Sequence, residues 1–293
     1  MRFLLKLMAI LFFVFIIGCK PQSEEEEKNL TADQWKILFN GKDLSGWDSF
    51  LGMPYKEGMD IWQQKQLPDY KPFGLNNDSL KVFSVVKVDG QPALRLSGEV
   101  YGGLSTIDEY ENYHLRLEFK WGELKFAPRL DAPRDSGLLY HGVGEQGAEA
   151  GFWLRSQEMQ IQENDCGDYW GIAGAHMDIR TEIRPDSLYQ YNPNGELRIF
   201  GDTSEFGRNA KKFPDGEKPK GEWNILDLYC YGGESAHIVN GVVTMILENS
   251  TMIIDSVSTP LTKGKIQLQT EGAEVFYRNI KIKPITGFPS LKP

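Results

Sequence analysis

Glu158-Met159-Gln160-Ile161-Gln162-Glu163 has the strongest claim to chemistry in this 293-residue chain. In an extended backbone, side chains alternate between faces, so Met159 and Ile161 share one face and Glu158, Gln160 and Gln162 the other. Glu163 joins the polar face only through a bulge. Glu158 and Glu163 would then supply the carboxyl pair of glycoside hydrolysis, with a separation of about 5–5.5 Å for retention. Upstream, Arg134 and Asp135 precede Ser136-Gly137 and the run Leu138-Leu139-Tyr140-His141. His141 is a candidate acid or base, on the face of Leu139 if the strand is regular. Asp165 and Asp168 around Gly167 suit a hard divalent cation, and equally an ordinary turn. Trp153, Tyr169 and Trp170 could stack on sugar rings, although core packing is the default for a tryptophan. Gln267, Gln269 and Glu271 alternate with Ile266 and Leu268, giving a polar strand face that could bind hydroxyls. His114 and His176 read as structural hydrogen-bonding residues.

These residues need strands to position them. From Trp35 onward the apolar period is two rather than 3.6. The clearest case is residues 113–121, where Leu115, Leu117, Phe119 and Trp121 share one face and Arg116, Glu118 and Lys120 the other. Similar runs cover residues 80–88, 93–96, 196–200, 223–231, 265–270 and 274–282. Asn240-Gly241 between β-formers predicts a hairpin with a type I′ turn. Many short strands divided by Gly, Pro and Asp predict an all-β, antiparallel sandwich or jelly roll. No long helix and no repeat is evident. Residues 52–75 form a long aperiodic insertion carrying Trp62, Tyr70 and Phe73. Residues 207–221, with Lys211, Lys212, Lys218 and Lys220, read as a solvated basic loop rather than a polyanion site.

Composition narrows the function classes. The net charge is −9 and aromatic residues make up 12% of the chain. An acidic chain is a poor partner for a nucleic-acid backbone. Three cysteines exclude a disulfide scaffold, and Cys166 and Cys230 read as buried free thiols. There is no P-loop, dinucleotide fingerprint, zinc-protease helix or nucleophile elbow. The N-terminus reads as an address: Arg2 and Lys6, an apolar run over residues 7–17, then Gly18-Cys19. This resembles a bacterial lipobox, which implies a cleaved signal over residues 1–18 and a lipidated Cys19. Residues 19–32, with Glu24–Glu27, form an acidic tether that resembles the export tag of Bacteroidetes-type surface lipoproteins. One folded domain over residues 33–293 follows. The implied location is the cell envelope, anchored by lipid.

Two family resemblances bear on activity. Glu158-Met159-Gln160-Ile161-Gln162-Glu163 resembles the catalytic strand of laminarinase/lichenase-type β-glucanases, in which the outer glutamates are nucleophile and acid. Those enzymes carry Asp where this chain has Gln160. More of the chain resembles the 3-keto-disaccharide hydrolase family, which is similar to concanavalin-like β-sandwiches. The likeness rests on 38–47 (Leu-Phe-Asn-Gly-Lys-Asp-Leu-Ser-Gly-Trp), 110–121, Ser136-Gly137-Leu138, Glu158–Gln160 and 276–282. It implies cleavage of glycosides already oxidised at C3. In that chemistry the ketone acidifies the C2 hydrogen, a base removes it, the aglycone leaves C1, and water adds to the enone. It implies Glu158 or His141 as base or acid. Arg134, Gln160 or a bound divalent cation would stabilise the enolate. Asp135, Trp153, Trp170, Gln269 and Glu271 would hold the sugar. A conventional glycosidase and a non-catalytic glycan binder are the alternatives. Oligomeric state is not fixed by the sequence.

Overall fold

The computed structural model describes residues 34–292. The leader, Cys19 and the acidic tether therefore lie outside the described residues. Two antiparallel sheets stack face to face, one of twelve strands and one of nine. The expected sandwich is what forms, and the described residues contain one short helix, the 3₁₀ turn Ile61–Gln66. Among them no helix is long and apolar enough to cross a membrane.

Period-two patterning explains the layers. In the Tyr113–Lys125 strand, Leu115, Leu117, Phe119 and Trp121 point into the core. From the nine-stranded sheet, Leu138, Tyr140, Met159, Ile161, Ile266 and Leu268 meet them. Each such fully buried side chain contributes about 1.5–3 kcal/mol through apolar surface removed from water. The strands' opposite faces are then free to be polar. The Asn-Gly hairpin also forms: Asn240 and Gly241 both take positive φ, 51° and 82°, between Glu234–Val239 and Val242–Ile254. Cys166 and Cys230 are free and buried.

The nine-stranded sheet positions the candidate site. Its centre runs Tyr169–Ile172, Arg155–Gln162, Asp135–Val143, Lys263–Thr270 and Gly102–Thr106 in spatial order. Register sets Gln160 opposite Gly137, Gln162 opposite Asp135, and Glu158 between Leu139 and Trp170. Ser136 points inward, donating to the Gln269 carbonyl at 2.7 Å and meeting the Tyr277 hydroxyl at 2.6 Å. That contact fixes Asp135 and Gly137 on the outer face.

Candidate active site

A cleft of about 140 Å³ opens on the outer face of the nine-stranded sheet. Ordinary ligand pockets run to roughly 300–1,000 Å³, so this one suits a single sugar ring. Asp135, Trp153, Glu158, Gln160, Trp170, Gln269 and Glu271 all line it. The sequence pattern expected these residues in a site, and alternation explains their meeting: Glu158, Gln160 and Gln162 lie on one strand face, with Asp135 and Gln269 on neighbouring strands. A larger groove on the back sheet has most of its charges paired already, Arg278 with Glu118 at 2.7 Å and Arg116 with Asp227 at 3.2 Å.

Gly137 makes room for the key groups. A Cβ there would stand 2.1 Å from Glu158 Oε1 and 2.5 Å from Gln269 Oε1. The glycine is needed for space, since both side chains lie across its backbone. Trp153 forms a wall. Its indole N–H donates to the Gly102 carbonyl at 2.9 Å, and its ring stacks near Tyr101 at an angle of 18°. Gln267 supports that wall by accepting from the Leu154 amide at 3.0 Å. Gln267 thus serves structure, whereas Gln269 faces the cleft.

Four cleft residues carried no functional assignment in the sequence reading. Arg129 reaches Asp135 at 2.6 Å and Glu271 at 3.3 Å. Arg208 sits 5.4 Å from the Trp170 ring and bonds Glu149 and Asp202 at 3.0 and 3.2 Å. Gln162 donates to Asp135 Oδ2. Trp62, on the 3₁₀ turn of the insertion, closes edge-on over Trp153 at 5.7 Å. The unusual length of residues 52–75 was the one signal that pointed to a functional loop.

Electrostatics set the protonation states. Burial pushes the Glu158 carboxyl well above the usual carboxylate range, and the nearby Asp135 adds to the rise. Glu271 is raised in the same way, by burial and then Asp135, while Arg129 opposes the rise. Asp135 is also raised, burial outweighing Arg129. Three carboxyls crowded into one small, buried space oppose one another's ionisation, so all three are biased toward the protonated form.

Five expected residues lie elsewhere. His141 falls at a bulge, with φ at 55°, where two residues oppose one on the Lys263–Thr270 strand. The extra residue breaks the alternation and turns the ring between the sheets, 5.9 Å from Tyr113 and 5.2 Å from Tyr140. Burial holds it neutral, with its pKa lowered to about 4. Glu163 follows the end of its strand and bonds Arg134, accepting from the guanidinium at 3.0 Å and the backbone amide at 2.9 Å. Neither Arg134 nor Glu163 lines the cleft, so Glu158 and Glu163 do not form the expected pair. Asp165 and Asp168 do not fit a metal site. The Lys211 ammonium holds them at 3.1 and 2.8 Å, and the Lys212 amide takes the other Asp168 oxygen. Lys211 and Lys212 are therefore tied down rather than solvated. Among the described residues no group of three His, Cys, Asp or Glu is arranged to hold a metal ion.

Solved structures share the architecture at low identity. A candidate glycosyl hydrolase from Parabacteroides distasonis is 21% identical over 86% of this chain and 100% of its own, with a TM-score of 0.46. A second from the same organism is 19% identical over 90% and 98%, with a TM-score of 0.47. A β-glucanase from Bacillus licheniformis is 10% identical over 86% and 98%, with a TM-score of 0.40. No curated protein matches the chain in sequence. Residues 34–283, almost the whole described region, match the 3-keto-alpha-glucoside-1,2-lyase-like domain, and the chain belongs to that family.

Proposed function

We propose that the protein cleaves the glycosidic bond of 3-keto-glycosides by elimination followed by hydration. The observation that carries this reading is the convergence of three buried carboxyls and two arginines in one tryptophan-walled cleft. Deprotonation at C2 needs a base whose pKa lies near the working pH. Asp135, buried and held by Arg129, suits that task. Departure of the aglycone from C1 needs an acid, and Glu158, whose carboxyl burial pushes well above the usual range, suits that role. Negative charge develops on the C3 oxygen as the C2–H bond breaks. Arg208 and the Gln160 amide are placed to meet it, in surroundings where such donors are worth most. Water then adds across the C1–C2 double bond, hydroxyl to C1 and proton to C2, so the net result is hydrolysis. His141 and Arg134, which lie outside the cleft, have no part in this scheme.

A conventional glycosidase remains the second reading, because the cleft supplies an acid and a carboxylate even without Glu163. One assay separates the two. Purified protein incubated with a glucoside and its 3-keto form, with and without chelator, should cleave the keto form alone. Cleavage of both would favour the glycosidase.

Gly137→Ala tests the geometry. The fold should persist, since the backbone there is ordinary. Turnover of the keto-glycoside should fall about 10²-fold, the cost of displacing reacting groups by about an ångström. Unchanged turnover would show that Glu158 and Gln269 can move without consequence.

We also infer export and lipid anchoring through Cys19. Cys19→Ala should move the protein from the membrane fraction to the soluble fraction. Persistence in the membrane would reject the anchor.

A further inference from the structure

Buried polar oxygens stand unpaired in the cleft. Asp135 Oδ1, Glu158 Oε1 and Gln269 Oε1 have no hydrogen-bond partner within the chain; on the donor side only Arg129 Nε is in that position. All three acceptor residues are at most 3% exposed. An unpaired buried polar atom costs free energy, so these oxygens call for a ligand that donates.

Charge points the same way. Arg129 is shared by Asp135 and Glu271, and Arg208 lies between Glu149 and Asp202. Each guanidinium is already shared by two carboxyls, so neither brings surplus positive charge for a ligand's full anionic group, and Glu158 has no ion-pair partner. A carboxylate, sulfate or phosphate on the ligand would enter a space already short of positive charge. An ammonium, with three donors and no acceptor, matches the unpaired oxygens of Asp135 and Gln269.

We propose that the cleft selects a sugar bearing a protonated amine and excludes one bearing an acidic group. This rests on the carbohydrate reading above and names the substrate class of that site. Bound ammonium stabilises ionised Asp135, so its binding releases a proton from Asp135, while Glu158 keeps the proton that the leaving oxygen needs. The groups facing this event are Glu271, Arg129 and Tyr101 on one side, and Arg208 with Glu149 on the other.

Titration calorimetry with glucosamine, glucose and glucuronate, in EDTA at pH 7, tests it without any turnover. Glucosamine should bind at least 10-fold tighter than glucose, and glucuronate at least 10-fold weaker. Glucosamine binding should release protons, seen as a heat that varies with buffer. Its advantage should shrink at pH 5, where the carboxyls already hold protons, and in Asp135→Asn. Equal binding of the three sugars would overturn the inference and leave the carbohydrate reading standing. Binding of none would overturn both.

Discussion

Glu158→Gln should lower turnover of a 3-keto-glycoside by about 10²–10⁴-fold, the range of a single general acid or base. Gln keeps the shape and one acceptor oxygen but gives no proton to the leaving oxygen. Substrate binding should change far less than kcat, because the ring is still held by Trp153, Trp170 and Gln269. The same variant carries a second signature. Glu158 titrates far above its free value of 4.5, mainly through burial. A carboxyl raised on folding contributes stability that is present below about 4.5 and lost as pH climbs toward the folded value. Gln does not titrate. The variant should therefore gain stability relative to the wild type as pH rises from 4.5 to 8, read from thermal midpoints of both proteins. Near-normal kcat would remove Glu158 from the mechanism. A stability gap that stays flat with pH would show that Glu158 is ionised in the fold.

Strand faces were legible from the sequence because alternation is a local rule. It placed Glu158, Gln160 and Gln269 on polar faces, and Asn240-Gly241 marked its hairpin without reference to distant residues. What failed was the detail that depends on irregularity or distance. His141 was assigned to the face of Leu139 on the assumption of a regular strand, and a single extra residue at the bulge reversed it. Glu163 required a bulge that does not occur; its strand simply ends at Gln162. The motif pointed to Arg134, whereas the arginines that line the cleft are Arg129 and Arg208. Arg129 contacts Glu271 across 142 residues, and no periodicity encodes such a meeting. Arg208 was hidden in a loop that read as solvated. Asp165 and Asp168 had the composition of a cation loop, and the cation proved to be the Lys211 ammonium. Local pattern thus gave the walls of the cleft, while its counter-charges came from loops.

Arg129→Met should be among the most destabilising substitutions in the cleft. The guanidinium is the shared partner of Asp135 and Glu271, which are 3% and 5% exposed. Methionine replaces much of its volume and none of its charge. Removing one member of a buried ionic group costs about 3–5 kcal/mol when the remaining charges stay buried. The two carboxyls have an alternative, which is to take up protons. Burial already raises both above their free values of 3.8 and 4.5, and Arg129 opposes that rise. Without Arg129 their folded pKa values climb further. Stability tied to a raised carboxyl is complete below its unfolded pKa and is lost as pH increases. The deficit of the variant should therefore be small near pH 4 and approach its full size at pH 7–8. Urea unfolding of both proteins at pH 4, 5, 6 and 7 measures it. Adding Asp135→Asn and Glu271→Gln to Arg129→Met should flatten the pH dependence, because no titrating pair remains. A deficit of equal size at every pH would assign the role of Arg129 to packing of its stem rather than to charge.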